Sequence, residues 1–160
     1  MNKRRAVLFL CTGNSCRSQM AEAMLRHCGD GRFEAHSAGS HPAGFIHPIT
    51  IACLERMGIP LSGDQESKSW SVYEDTAFDA VITLCDSAAA AGCPVWPGHP
   101  VQVHWSTPDP VLRLGTPEER MAFAMRVAER LRAKIDGLVG LDWSANPIEL
   151  KRSLEFLGEV

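Results

Sequence analysis

The run Ala6-Val7-Leu8-Phe9-Leu10 is continuously apolar and short, which predicts a strand. After the polar stretch Cys11 to Ser18, apolar residues return at Met20, Ala21, Met24, Leu25 and Cys28, a helical spacing. Gly29-Asp30-Gly31 turns the chain, and Phe33 to Ser37 reads as a second strand. Pro48 opens a helix through Ile49, Ala52, Cys53 and Met57 that Gly58 and Pro60 end. Ser62 to Ser69 is polar and loop-like, and Trp70 to Asp75 suits a helical turn. Phe78 to Leu84 and Val101 to Trp105 are the third and fourth strands. Between them Ala88 to Ala91 suits a short helix or a mobile segment, and Gly92 to Pro100, rich in Gly and Pro, a loop.

Two helix starts follow. Thr116-Pro117-Glu118-Glu119 has an N-cap Thr, a Pro at the first helical position and a Glu at N3. An apolar stripe of Met121, Ala124, Met125, Ala128, Leu131, Ile135 and Leu138 continues from it, with Arg126, Arg130 and Arg132 on what reads as a solvated face. Asn146-Pro147-Ile148-Glu149 starts a last helix with Leu150, Leu154 and Leu157 inward. Strands alternating with helices predict an α/β fold: one domain over residues 1–160, with a four-stranded parallel sheet and helices on both faces. Sites in such sheets lie beyond the carboxyl ends of the strands. Cys11, Ser37, Cys85 and Asp109 all fall there.

Composition narrows the class. The 160 residues are 45% hydrophobic with a formal net charge of −3, which gives no reason to expect a nucleic-acid or membrane partner. Met1 to Arg5 followed by Ala6 to Leu10 imitates a signal peptide, but the apolar run is too short and lacks a cleavage pattern. The expected location is cytoplasmic, where the six cysteines stay reduced.

The chemistry concentrates in Cys11-Thr12-Gly13-Asn14-Ser15-Cys16-Arg17-Ser18, a loop between strand and helix. A helix N-terminus offers unpaired N–H groups and the positive end of its dipole, an anion site. Cys11 and Arg17 would face one oxyanion, held by the amides of residues 12–17 and the Arg17 fork. Those donors and the Ser18 hydroxyl would favour the reactive thiolate of Cys11. The alternative is a small buried cysteine closing a core strand. No Gly-Lys-Ser/Thr follows, so this is not a nucleotide-binding phosphate loop.

The Cys-x5-Arg-Ser loop, Gln19-Met20-Ala21-Glu22 and Ser37-Ala38-Gly39 resemble the low-molecular-weight protein tyrosine phosphatase fold family. Val81-Ile82-Thr83-Leu84-Cys85-Asp86, Cys93-Pro94-Val95-Trp96-Pro97-Gly98, His104-Trp105 and Asp109-Pro110 resemble the arsenate reductases built on that fold. The resemblance implies reduction of arsenate to arsenite by thiols, with weak phosphatase activity alongside. Cys11 attacks arsenic, Asp109 acts as general acid, Cys85 resolves the adduct, and Cys93 takes the disulfide onward. No tightly bound cofactor is implied. An external thiol is required: thioredoxin, or glutathione with glutaredoxin. In relatives, residues matching Asn14, Glu22 and Ser37 contribute to a potassium site.

Other readings stay open. Cys85 and Cys93, with seven residues between them, read alternatively as ordinary strand-end and loop cysteines or as half a zinc site with His99 and His104, though no tight ligand pair is present. Asp109-Pro110 alone would be a turn. A phosphatase would need only Cys11, Arg17 and Asp109, but Val111 and Leu112 follow where an aryl substrate calls for aromatic residues. A non-catalytic oxyanion or thiol sensor is the third reading. Asn14 and Ser37 are expected to brace the loop, Cys16 to pack or to form a protective disulfide with Cys11, and Cys28 and Cys53 to be core. His41, His47, His99 and His104 have no spacing that suggests catalysis, and Trp70, Trp96 and Trp105 are expected to anchor loops.

Overall fold

A computed structural model describes residues 3–90 and 94–160. The elements run β1 (Arg5–Cys11), α1 (Arg17–Cys28), β2 (Phe33–Gly39), α2 (Pro48–Arg56), β3 (Ala80–Thr83), α3 (Asp86–Ala90), β4 (Val101–His104), α4 (Pro117–Val139) and α5 (Pro147–Glu159). Short 3₁₀ turns span Trp70–Tyr73 and Pro110–Leu112. All strand pairs are parallel, in the order β2-β1-β3-β4. The chain winds one way from β1 to β2, then crosses back to place β3 on the other side of β1. That reversal is the topological switch point where open α/β sheets leave a crevice.

The register brings the chemistry to one edge. Cys11 lies opposite Gly39, Leu10 opposite Thr83, and Thr83 opposite His104. Cys11, Cys85 and the chain after β4 therefore emerge together. β2 runs two residues past the expected Ser37, because Gly39 N–H bonds the Lys68 carbonyl and Gly39 bridges to Ser69. β3 is shorter than the apolar run predicts. Asp79 and Leu84 still bond to β1, through the carbonyls of Ala6 and Leu10, just beyond the strand's ends.

Alternation along β1 sorts its side chains between two cores. Val7 and Phe9 join a cluster formed with α1, α4 and α5, while Ala6, Leu8 and Leu10 meet Phe78, Val81 and Trp96 on the opposite face. The 3₁₀ turn at Trp70–Tyr73 covers that second face. The α4 stripe is buried as its spacing predicts: Ala124, Ala128, Leu131, Ile135 and Leu138 are all at or below 1% exposure. Its start has the capping box, with Thr116 and Glu119 bonded reciprocally. Trp105 differs from expectation. Rather than anchoring a loop, it is fully buried in the main core, beside Phe9, with its indole N–H on the Leu154 carbonyl of α5. No helix among the described residues is long and apolar enough to cross a membrane.

Gly39 is where sheet and site meet. A Cβ there would lie 2.5 Å from the Thr12 carbonyl oxygen, a backbone atom that cannot step aside. Gly39→Ala is therefore expected to cost about 1–3 kcal/mol, the usual range for overpacking. Urea unfolding measures it; a wild-type midpoint would mean that β2 and the loop are not locked together.

Candidate active site

The loop after β1 is held from outside by its carbonyls. Cys11, Thr12 and Gly13 accept from the N–H groups of Ser40, His41 and Ala43, and Ser15 accepts from His47 N–H and the Thr50 hydroxyl. The Asn14 carbonyl accepts from Gln19 Nε2 at 3.0 Å, and that of Cys16 from Met20 N–H. Planar trans peptides point N–H opposite C=O, so the N–H edge turns inward. It faces a cavity of about 220 Å³ lined by Cys11, Gly13, Ser15, Cys16, Arg17 and Asp109, among others. No side chain caps α1, and its first turn carries no acidic residue. The orphan donors of the helix are thus left for an anion.

Asn14 sets the loop's shape. Its backbone is left-handed (φ 47°), a conformation that Asn tolerates better than most residues. Its side chain is fully buried and uses every hydrogen-bonding site. Nδ2 donates to Ser18 Oγ at 2.7 Å and Ser37 Oγ at 3.0 Å, while Oδ1 accepts from Gln19 Nε2 and Lys68 N–H. Ser18 Oγ in turn lies 2.8 Å from Cys11 Sγ. Because the Ser18 oxygen already accepts from Asn14, its proton is free to point at the sulphur, as a thiolate requires.

Arg17 is nearly buried, and its guanidinium spans two partners beyond β4. It donates to the Thr107 carbonyl at 3.1 Å and to Asp109 Oδ2 at 3.3 Å. Asp109 Oδ1 caps the 3₁₀ turn by accepting from Val111 N–H. The turn reading of Asp109-Pro110 and its place at the active edge thus hold together.

The second thiol is close. Cys85 Sγ lies 3.0 Å from the Thr12 hydroxyl and accepts from Ala88 N–H at 3.3 Å, at the start of α3. Cys11, Cys85 and Ala88 form a small buried cluster of their own. Cys93 lies outside the described residues, so its place beside Cys85 belongs to the proposal below. Cys16 faces the cavity, but burial pushes its thiol up to about 12, so it stays protonated at neutral pH. Cys53 is core, and Cys28 is half-buried.

Several participants carry no signal in the sequence pattern. Thr107 contributes only a carbonyl. Gln65 and Lys68 sit in the featureless polar loop, yet Gln65 Nε2 bonds both Gln19 oxygens and Lys68 N–H bonds Asn14. His104, whose spacing suggests no catalysis, bonds Asp86 through Nε2 and Thr83 through Nδ1, both at 2.7 Å. Bonds from His104 and Ser106 hold the Asp86 carboxyl below its usual range. His99 has no such bond among the described residues, where no cluster of metal-ligating side chains occurs.

Asn14, Glu22 and Ser37, the potassium candidates, do come together. Their oxygens are already taken by nitrogen and hydroxyl donors. Glu22 accepts from Ser37 Oγ at 2.6 Å and from Arg26 at 2.5 Å, and Lys68 Nζ stands 3.9 Å from it. The charge a potassium ion would bring is supplied by the chain itself, and the donor set as placed does not fit the ion.

The sequence pattern of the low molecular weight phosphotyrosine protein phosphatases matches residues 6–141. An arsenate reductase of Shouchella clausii is 39% identical over 132 residues, spanning 82% of this chain and 93% of that protein. A solved arsenate reductase in the phosphate-binding state superposes with a TM-score of 0.64 at 28% identity, covering 84% of this chain and 96% of its own. A thioredoxin-dependent arsenate reductase of Corynebacterium glutamicum superposes with a TM-score of 0.57 at 28% identity, covering 83% of this chain and 62% of its own.

Exchanging sodium for potassium at fixed ionic strength is expected to leave the thermal midpoint unchanged, since Arg26 and Lys68 already balance Glu22. A potassium-specific rise would mean that the ion displaces one of them.

Proposed function

The chain belongs to the low molecular weight phosphotyrosine protein phosphatase family, and from that premise we propose that it reduces arsenate to arsenite through a relay of thiols. One observation carries the choice of reductase over phosphatase: a second thiol, Cys85, hydrogen-bonded to the oxyanion loop through Thr12 at 3.0 Å. Ester hydrolysis has no use for that sulphur. Arsenate reduction does, because arsenic must gain two electrons and two thiols joining as a disulfide release two.

The oxyanion sits on the inward N–H edge and the Arg17 fork. Planar, fixed guanidinium geometry suits two of its oxygens at once. Cys11 attacks arsenic while Ser18 supports its sulphur. An oxygen departs as water, with Asp109, which lines the same cavity, supplying a proton. Cys85 then attacks the Cys11 sulphur. The S–S bond forms, the As–S bond breaks, and its electron pair leaves with arsenic as arsenite. Cys93 attacks Cys85, frees Cys11 and carries the disulfide to the segment after α3. An external thiol completes the cycle. The thioredoxin-dependent relative supports a protein dithiol in this role, and glutathione with glutaredoxin is the other candidate class.

Phosphatase activity is the weaker, secondary reading. Val111 lines the cavity where an aryl ring would want an aromatic wall, and Leu112 is largely exposed.

Asp109→Asn is expected to slow single-turnover arsenate reduction about 10²–10⁴-fold, the range for a lost general acid. An unchanged rate across pH would move that role elsewhere. Cys85→Ser should keep any phosphatase activity and lose reduction, whereas Cys93→Ser should complete one turnover and stop with Cys11 joined to Cys85. Non-reducing peptide mapping after arsenate treatment reads both. Sustained wild-type turnover by both variants with thioredoxin would refute the relay.

A further inference from the structure

β3 delivers the chain to Cys85, and the sheet holds it as far as Leu84. Leu84 N–H donates to the Leu10 carbonyl, and the Leu84 carbonyl accepts from Thr107 N–H. Past that point Asp86 opens α3, which is five residues long. A helix so short does not stand alone, because its nucleation outweighs the few bonds it gains. Yet the Cys85 sulphur depends on it, through the Ala88 N–H at 3.3 Å. One anchor for α3 is apolar: Ala88 packs against Cys11 and Cys85. A second is polar, and the relay described above gives it no part.

That anchor is His104, the last residue of β4. Its Nε2 lies 2.7 Å from Asp86 Oδ1, and its Nδ1 lies 2.7 Å from Thr83 Oγ1. An ionised carboxylate only accepts, so Nε2 carries the hydrogen, and in the neutral ring Nδ1 accepts from the Thr83 hydroxyl. The Ser106 hydroxyl donates to the same Asp86 oxygen at 3.3 Å. Thr83 and Asp86 flank Leu84-Cys85 in the sequence. One imidazole therefore bridges the two ends of the segment that carries the second thiol. Asp86 and His104 are exposed, and a surface pair that must order two free side chains gains little. Here the sheet register already sets Thr83 opposite His104, so only Asp86 remains to be ordered.

We propose that His104 is a positioning residue for the second thiol: by holding Thr83 and Asp86 together, it fixes the chain between them so that the Cys85 sulphur stays on the Thr12 hydroxyl and the Ala88 N–H. The inference rests on the thiol-relay reading above. Attack by Cys85 on the Cys11 sulphur needs a thiolate at a fixed place, and small displacements of a reacting group are costly. His104 touches neither sulphur among the described contacts and acts through Asp86 and the first turn of α3. Arg17, Arg130 and Asp109 line the cavity that Cys85 and Asp86 share, and Lys151 and Glu155 line another with His104. These charges stay constant in every variant below.

The test uses the full chain. Cys85 alkylation by iodoacetamide is followed across pH by peptide mapping, and the midpoint is read rather than the plateau, which also reports access. Single-turnover arsenate reduction gives the rate, and calorimetry with inorganic phosphate reads the loop alone. In His104→Ala the Cys85 midpoint should move to higher pH and reduction should slow about threefold to tenfold, the range for one lost hydrogen bond. Phosphate affinity should hold. His104→Gln, whose amide can donate to Asp86, should recover part of the rate. Asp86→Asn and Asp86→Ala share the loss of charge, so the difference between them reads the bonds: Asn should keep what Ala loses, and that difference should shrink in the His104→Ala background. An unchanged midpoint or an unchanged rate in His104→Ala would overturn the proposal. So would a parallel fall in phosphate affinity, or identical behaviour of the two Asp86 variants. If wild-type protein reduces no arsenate, the relay reading fails, and the alkylation midpoint still decides whether His104 positions Cys85.

Discussion

The structure depends on a loop whose carbonyls all face away from its centre. A backbone that satisfies only one edge is costly, because each buried polar group without a partner forfeits about 1–3 kcal/mol. Here the carbonyl edge is fully engaged by Ser40, His41, Ala43, His47, Thr50 and Gln19, and the N–H edge is left for a guest. Asn14 makes this possible by taking the left-handed turn itself and spending all four of its hydrogen-bonding sites on the surroundings. An oxyanion therefore does not reshape the loop. It supplies the acceptors the fold has left out, and any ligand that binds only the folded form also stabilises it.

Three thiols crowd this loop, and their surroundings differ. Cys11 rests on Ser18, itself fixed by Asn14. Cys85 rests on Thr12, the neighbour of Cys11, and on the first turn of α3. Cys16 lies within the same loop, but burial pushes its thiol up to about 12 and keeps it out of thiolate chemistry. Burial and the donors beside each sulphur, rather than distance alone, set the three thiols apart.

The parts legible in the sequence were those with a period or a fixed spacing. The apolar runs, the 3.6-residue stripe on α4 and the Thr116 capping box gave the layers, and the Cys-x5-Arg frame located the loop. What stayed hidden were contacts between segments with no local pattern. Gln65 and Lys68 sit in a polar stretch whose sequence looks like any loop, yet they lock Gln19 and Asn14. Thr107 acts through a carbonyl, which every residue has. Trp105 looked like loop bulk because its burial depends on α5, whose approach no local rule predicts. The arginines of α4, by contrast, were legible as a solvated face: Arg126 and Arg130 are exposed.

Topology then divides the traffic. On the β2 side of β1, the segments around Ser40 to His47 and Ser67 to Ser69 bond to the loop and hold it. On the β3 side stand Cys85, Thr107 and Asp109, around a cavity that Arg130 of α4 also lines. One flank of the switch point is thus committed to shape and the other to chemistry. A relay needs this asymmetry. The oxyanion occupies the loop at the crevice, so reducing equivalents must arrive from a direction that does not cross it. Among the described residues, the second sulphur bonded to the loop, Cys85, stands on the β3–β4 flank.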